Sequence, residues 1–504
     1  MVSGPKIAFI GAGSARWTSR ILIDIMLTKD LQNAEIRLMD IDDRRLEIIG
    51  RFAKRYSEEL KIPLKIVVTK NRKEAIKEAD FVISTVLAKG YTYYETMRAI
   101  SEEHGYKYGI NAVEWNFVGD YHTIWGYYQF KVHLDIARDI EELAPGAWFF
   151  IVSNPVFELT TLVGRESKVK VAGVCHGFLH FRAALEILAM RLAKEVLGKD
   201  ITALCAMHDP ECYRTMMQVI DFSELDYEMK GFNHVIWLTR FRYRGENAYR
   251  YVDDWIKEDA EKYWKVWREH TMSPWDVDLS PAAIDLYKTY GCLPIGDSVR
   301  GGTWKYHWDL KTKQYWYGPF GGPDSEIGNA IRVQTARRNI EEMAKLVFDE
   351  SIPLLHRIPP RSSGEFLAPV MDSLYNDKSI DGYDVYLAPK VSPLRVPIYV
   401  NLMNNGVLDG IPNNVAVEIP VKVDGKGIHP KPVEQPPSKI YRYVLLYRLM
   451  RAEWALEAFL KGGRDSLFNW LIVDIRTKST QQVNDVIDAI LRMPGNEEMA
   501  KHYS

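Results

Sequence analysis

The stretch that decides the fold is KIAFIGAGSARWT, residues 6–18. KIAFIG (6–11) is apolar with β-branched residues and reads as a strand. Gly11 and Gly13 follow it. The spacing of Ile21, Leu22, Ile25 and Leu27 then predicts a helix over 14–29. Strand, glycine turn and helix in this order let a pyrophosphate approach the backbone and rest on the helix N-terminus. Ser14 lies in the turn and belongs to the same candidate cofactor surface. The third glycine of the full fingerprint is missing, and Arg16 stands there. The next strand, EIRLMDI (35–41), places Asp40 at its carboxyl end. An acid there suits the ribose hydroxyls of NAD and repels the 2′-phosphate of NADP. Arg44 and Arg45 nearby are the counter-signal.

The alternation continues outward from this unit. KIVVT (65–69), FVISTVL (81–87), AWFFIVS (147–153) and KVAGVC (170–175) read as strands. Helical patterns cover 43–60, 71–78, 91–104 and 122–143. Strands separated by helices imply βαβ units and a parallel sheet. Thr85, near the end of the fourth strand, joins the cofactor candidates. The expected architecture is α/β: a Rossmann-type doubly wound parallel sheet over 1–200, followed by a mixed α/β domain over 201–504. Within the second region, 181–220, 250–270 and 440–495 read as helical. HVIWLTRFRYRG (234–245) reads as a strand, and 411–440 holds short β-like runs such as VAVEIPV.

Composition sets the outer bounds. The chain has 504 residues, 47% hydrophobic and 26% charged, with a net charge of −2. That balance argues against a general polyanion partner, so no nucleic acid is expected. No run approaches eighteen apolar residues, so no membrane partner is expected either. MVSGPK leads straight into the first strand with no leader pattern, and four cysteines make no disulfide framework. Both point to the cytoplasm.

Several short motifs carry chemistry. Asn154-Pro155 in VSNPVFELTT ends a strand at the carboxyl edge of the sheet, where ligands bind in such folds. Its amide suits cofactor and substrate alike, although Asn-Pro is also a common turn. In KVAGVCHGFLH (170–180), Cys175 is a nucleophile, a soft metal ligand or a buried thiol. His176 beside it is a proton donor or a structural ring. His234 in GFNHVIWL could complete a half-open metal site with Cys175. Asp297 and Arg300 sit in the loop LPIGDSVRGG (293–302). Trp304, Tyr306 and Trp308 could stack on a sugar or pack a core. Cys205, His208 and Cys212 in CAMHDPEC could form a second metal site, with no evident fourth ligand.

Taken together, GAGSARW, LMDID, VGDYHT, SNPVFELTTLV, GVCHGF, GFNHVIWL, PIGDSVR, GGPDSEIG and MRAEWALEAFL resemble glycoside hydrolase family 4, the NAD- and metal-dependent glycosidases. This family departs from the usual two-carboxylate hydrolysis. The resemblance is nearest to the α-glucosidase branch. It implies that Cys175 and His234 hold a divalent metal, usually Mn²⁺, and that NAD⁺ transiently oxidises carbon 3 of the sugar. It implies Asp297 as the base at carbon 2, followed by elimination. His176 aligns with the acid at the leaving oxygen, and Asn154, Asp120 and Arg300 with sugar contacts. Members acting on 6-phosphosugars carry other residues, such as Asp or Asn, after the cysteine, so Cys175-His176-Gly177 fits glycosides without phosphate. The alternative within the family is an α-glucuronidase or α-galacturonidase. More remote is a lactate/malate-type 2-hydroxyacid dehydrogenase. The 59-residue Cys175–His234 interval is longer than the family's common spacing, with an insertion around 183–220. A homodimer or homotetramer is expected.

Overall fold

A computed structural model describes residues 4–106, 123–300 and 306–504. Six parallel strands build the first part of the sheet: β1 (Lys6–Ile10), β2 (Glu35–Met39), β3 (Lys65–Thr69), β4 (Phe81–Ser84), β5 (Trp148–Ile151) and β6 (Lys170–Gly173). Their spatial order is β3-β2-β1-β4-β5-β6. That order puts a switch point between β1 and β4, and the crevice for a dinucleotide opens at such a point. Helices α1 (Trp17–Leu27) and α2 (Asp43–Glu59) cover one face. Helices α3 (Arg72–Ile76), α4 (Gly90–Glu103), α5 (Tyr127–Leu143) and α6 (Val156–Glu166) contribute to the other. Along β1 the side chains alternate between the two cores, Ile7 and Phe9 to one, Ala8 and Ile10 to the other. Strands β1, β4 and β5 are covered on both faces and read as apolar runs, while β2 and edge strand β3 keep charged, partly exposed residues.

The sheet continues past β6. The remaining strands are β7 (Leu225–Phe232), β8 (Val235–Tyr243), β9 (Glu246–Asn247), β10 (Leu293–Ile295), β11 (Gly382–Val385), β12 (Leu394–Met403), β13 (Ala416–Asp424) and β14 (Gly427–Pro430). The order beyond β6 is β12-β13-β7-β8-β10, all antiparallel. The second half of the chain therefore shares a sheet with the first. Strands β7, β10, β11 and β12 were not expected; β12 carries Pro397 and then five buried residues in a row, Ile398 to Leu402.

Two narrow joints hold this extension. Gly173 of β6 registers with Asn401 of β12, and Glu418 of β13 with Gly231 of β7. A Cβ at Gly173 would lie 2.3 Å from Thr160 Oγ1 and 2.9 Å from the Asn401 side chain. Gly231 has φ +146°, and a Cβ there would lie 2.1 Å from the Val235 carbonyl oxygen. Both positions need glycine for backbone approach, not only for flexibility.

The long interval between Cys175 and His234 is filled by α7 (Arg182–Leu197), α8 (Thr202–Ala206), α9 (Pro210–Val219) and β7. Here the cysteine reading is corrected. Cys205 and Cys212 form a buried disulfide, so their sulfurs are not metal ligands. His208 instead pairs with Asp276 at 2.9 Å. Among the described residues, no helix is long and apolar enough to cross a membrane.

Gly231→Ala is expected to cost about 2–4 kcal/mol, since the clash is with backbone at a positive φ. Urea unfolding followed by circular dichroism measures this. A midpoint unchanged from the parent would show that the joint tolerates a methyl group.

Candidate functional site

The glycine turn after β1 is braced from three sides. Gly11 has φ +84°, and a Cβ there would lie 2.8 Å from the Val86 nitrogen. Thr85 Oγ1 donates to the Gly11 carbonyl at 2.7 Å. Gly13 N–H donates to Asp40 Oδ2 at 2.7 Å, and a Cβ on Gly13 would lie 2.8 Å from that same oxygen. Ser14 Oγ accepts from Trp17 N–H at 3.3 Å, where α1 begins. Asp40 thus sits beside a bare glycine face and a helix N-terminus, the set a dinucleotide needs. The counter-signal disappears here. Arg44 is paired with Glu341 at 2.6 Å, and Arg45 reaches Asp42 at 3.5 Å and the Gly13 carbonyl at 3.3 Å.

Asn154 follows β5, with a cis peptide to Pro155. Its carbonyl accepts from Gln129 Nε2 at 2.8 Å. Its side-chain amide makes no hydrogen bond among the described residues. It sits two strands from the glycine turn, with β4 between, at the same carboxyl edge.

Cys175 lies two residues past β6, and His234 occupies the two-residue turn between β7 and β8. His234 holds φ +62°, a conformation a side-chain-bearing residue adopts at a cost, and which concentrates at functional sites. The two joints bring these distant residues together, with Cys175 Sγ 3.4 Å from His234 Nε2. Two ligand atoms bonded to one ion at roughly 2.1 and 2.3 Å lie about 3–3.6 Å apart, so the pair fits neighbouring positions on a divalent metal. No group of three or more His, Cys, Asp and Glu side chains forms a full metal cage among the described residues. The pair alone supplies two of the ligands a divalent cation would need. Burial pushes the Cys175 thiol well above its ordinary range, and the Glu418 and Asp297 carboxylates add to this. A thiol held protonated is a poor free nucleophile, whereas a bound cation would draw the proton off.

Asp297, on a 3-10 turn Gly296–Arg300, completes the constellation. Its Oδ2 lies 3.1 Å from His234 Nε2. Arg300 is buried and grips both Asp297 and Asp324. Burial works to raise Asp297, but Arg300 and then His234 outweigh it and hold the carboxyl far below its usual range. Arg300, expected to contact the sugar, pairs with two carboxylates here. Its visible work is to hold Asp297. Tyr306 is fully buried and bonds Asp285, a core role, while Trp308 is exposed. Asp120 and Trp304 lie outside the described residues.

Sequence reading missed the layer beneath. Asn233 donates to Glu418 Oε2 at 3.0 Å and also reaches the Cys175 sulfur. Glu418 is a lone acid in the apolar run VAVEIPV, a signal that could have been weighed. Burial pushes its carboxyl up to about 8, against the hydrogen bonds from Asn233 and Asn401. His176 Nδ1 meets Glu365 at 3.2 Å and its ring lies 5.3 Å from Trp17. His180, in the same quoted stretch, meets Asp278 at 2.7 Å.

Comparison with known proteins gives the family and the fold. The model for "Family 4 glycosyl hydrolase" matches residues 6–190, and that for its C-terminal domain matches 229–384 and 392–477. An α-glucosidase of Erwinia rhapontici is 23% identical over 96% of this chain and 97% of its own length. In fold, the chain is similar to the Bacillus subtilis protein lplD, with TM-score 0.72 and 18% identity over 97% of this chain and 100% of that one. It is also similar to a 6-phospho-α-glucosidase from gut microorganisms, solved with NAD and Mn²⁺, with TM-score 0.66 and 16% identity over 98% of both chains.

A raised Glu418 binds a proton in the folded state that the unfolded chain has released. Stability therefore falls as pH rises from the unfolded carboxyl range through about 8. Glu418→Gln removes that term. Between pH 5.5 and 8, the variant should gain about 3 kcal/mol relative to the parent, at roughly 1.4 kcal/mol per pH unit. Parallel pH profiles of unfolding free energy would contradict a neutral Glu418.

Proposed function

The chain belongs to family 4 of the glycosyl hydrolases. From that premise we propose that it hydrolyses α-glucosides without phosphate by an NAD- and Mn²⁺-dependent oxidation, elimination and water addition. The observation that carries this reading is the convergence of Cys175, His234 and Asp297 at the sheet edge that also bears the braced glycine turn. A similar fold solved with NAD and Mn²⁺ supports it.

Gly11, Gly13, Ser14, Asp40 and Thr85 would hold NAD, and Cys175 and His234 the metal. Asn154 would touch cofactor and sugar. When bound, NAD⁺ supplies reversible hydride acceptance at carbon 3 and the cation polarises the oxygens beside it. Asp297 receives the proton from carbon 2. Its depressed pKa keeps it ionised across neutral pH but makes it a weak base, so the acidity has to come from the sugar. Arg300, pinned by Asp324, fixes its orientation. A histidine of the turn after Cys175 gives its proton to the departing oxygen, and His176 is the one the family resemblance selects. Water then adds with both proton movements reversed.

A second reading, cleavage of α-hexuronides, is favoured by Arg16 and Arg20. Neither makes an ion pair or hydrogen bond among the described residues. Both lie near Glu365 and Arg16 lies against Trp17, beside His176. Two guanidiniums near Glu365 and beside Trp17 suit a sugar carboxylate. Self-association belongs to the same proposal. Tyr443, Tyr447 and Met450 form an exposed apolar stripe at helical spacing, and sedimentation showing only monomer at micromolar concentration would remove it.

Protein stripped of bound cofactor and metal should cleave nitrophenyl α-glucoside only when both NAD⁺ and Mn²⁺ are returned under reducing conditions. Cleavage without either addition would sink the mechanism. Cleavage of the α-glucuronide or α-galacturonide alone would replace the first reading by the second, and Arg16→Ala with Arg20→Ala should then lower uronide turnover selectively. Cys175→Ser should weaken Mn²⁺ binding in calorimetry at least about tenfold, with NAD⁺ affinity retained.

A further inference from the structure

The loops that leave β4 and β5 are clamped by one side chain that lies in none of the motifs. Gln129, in the first turn of α5, is fully buried. Its amide makes three hydrogen bonds, all to backbone. Oε1 accepts from Ala88 N–H at 2.9 Å. Nε2 donates to the Val86 carbonyl at 2.9 Å and to the Asn154 carbonyl at 2.8 Å. Val86 and Ala88 follow β4, and Asn154 follows β5. These strands are neighbours, so one amide ties adjacent loops together at the carboxyl edge of the sheet.

A polar layer beneath fixes the clamp in turn. His133, one helical turn on from Gln129, is also fully buried, and its Nδ1 lies 2.7 Å from the Gln129 backbone carbonyl. A carbonyl only accepts, so Nδ1 carries the hydrogen. Burial lowers the ring to about 4, which keeps it neutral near pH 7 and leaves Nε2 as an acceptor. Ser84 Oγ lies 2.9 Å from Nε2 and donates to it. Ser84 ends β4, and its hydroxyl is also 3.1 Å from that of Ser153 in the loop after β5. No buried side-chain nitrogen or oxygen of Gln129, His133, Ser84 or Ser153 lacks a partner. A fully satisfied buried network of this kind holds one arrangement of the backbone it bonds.

What it holds is the middle of the candidate cofactor surface. Thr85 Oγ1 donates to the Gly11 carbonyl at 2.7 Å, and a Cβ on Gly11 would lie 2.8 Å from the Val86 nitrogen. The loop after β4 therefore rests on the glycine turn on one side and is bonded through Gln129 to Asn154 on the other. A dinucleotide on such a sheet lies across two halves, with its adenosine toward β1–β3 and its nicotinamide toward β4–β6. The clamp lies wholly in the second half.

We propose that Gln129 is a positioning residue for the nicotinamide half of the cofactor, its amide, backed by His133 and Ser84, setting the Val86 and Asn154 loops against each other. Gln129 bonds backbone only and acts through those loops. This deepens the proposed function and rests on its NAD site.

Calorimetric titration of the full chain, stripped of bound cofactor, with NAD⁺ and with ADP tests this. ADP carries the adenosine and the pyrophosphate but no nicotinamide. Gln129→Met keeps the length of the side chain and removes all three hydrogen bonds. It should bind NAD⁺ roughly tenfold or more weakly than the parent, and ADP within about threefold of the parent. Ser84→Ala cuts the layer beneath with a smaller change of shape. It should show a selective loss for NAD⁺ of about threefold or more, and it decides the matter if Gln129→Met does not fold. A merely structural Gln129 would lower the unfolding temperature without separating the two ligands. Parent affinity for NAD⁺ in the variants, or equal losses for NAD⁺ and ADP, would overturn the assignment while the NAD site stands. A parent that binds no NAD⁺ would overturn the NAD site itself, and the assignment with it.

Discussion

The site depends on one buried contact group. Glu418, Asn233 and Asn401 lie where the parallel strands hand over to the antiparallel ones. β6 meets β12 through Gly173 and Asn401, and β13 meets β7 through Glu418 and Gly231. Cys175 leaves the end of β6, and His234 sits in the turn leaving β7. Their 3.4 Å separation exists only because these joints hold. A carboxyl buried there would be costly if ionised, and burial keeps it protonated up to about pH 8. As a neutral acid it accepts from Asn233 without placing a second negative charge beside Asp297. The joint thus joins two segments 59 residues apart.

Around that joint the charged residues divide into those that act and those that hold. Arg300 and Asp324 fix Asp297 from behind. Asp278 and Glu365 each fix one histidine. The loop bearing Glu365 is itself tied to α1, since Ser363 N–H donates to Asp24 at 2.8 Å. Each candidate side chain is therefore set by a carboxylate or cationic partner, an arrangement that keeps side-chain geometry within a narrow range. The cofactor turn follows the same rule, with Thr85 and Asp40 bracing Gly11 and Gly13.

Much of this was legible in the chain. The six parallel strands, the glycine turn and Asp40 follow local rules of period, turn chemistry and strand-end position. Cys175, His234 and Asp297 were readable as an ordered set of motifs, since each is flanked by a recognisable turn or strand. The antiparallel extension was not. β12 is buried on both faces and carries a proline, so neither alternation nor propensity marks it. That Arg300 pairs with Asp324 could not be read from spacing, because the contact is tertiary. The disulfide was hidden for a similar reason: composition argues about compartments, while Cys205 and Cys212 pair because α8 and α9 bring them together. His180 lay in plain view four residues after His176, but its partner Asp278 is 98 residues away.

The central claim is that a proton leaves carbon 2 of the sugar at a site assembled by these joints. Hydrolysis in heavy water, with the product read by proton NMR, tests this most directly. The account predicts a sugar carrying deuterium at carbon 2, because the proton delivered there on water addition has exchanged with solvent. A product that keeps its original hydrogen at carbon 2 through complete turnover would contradict it.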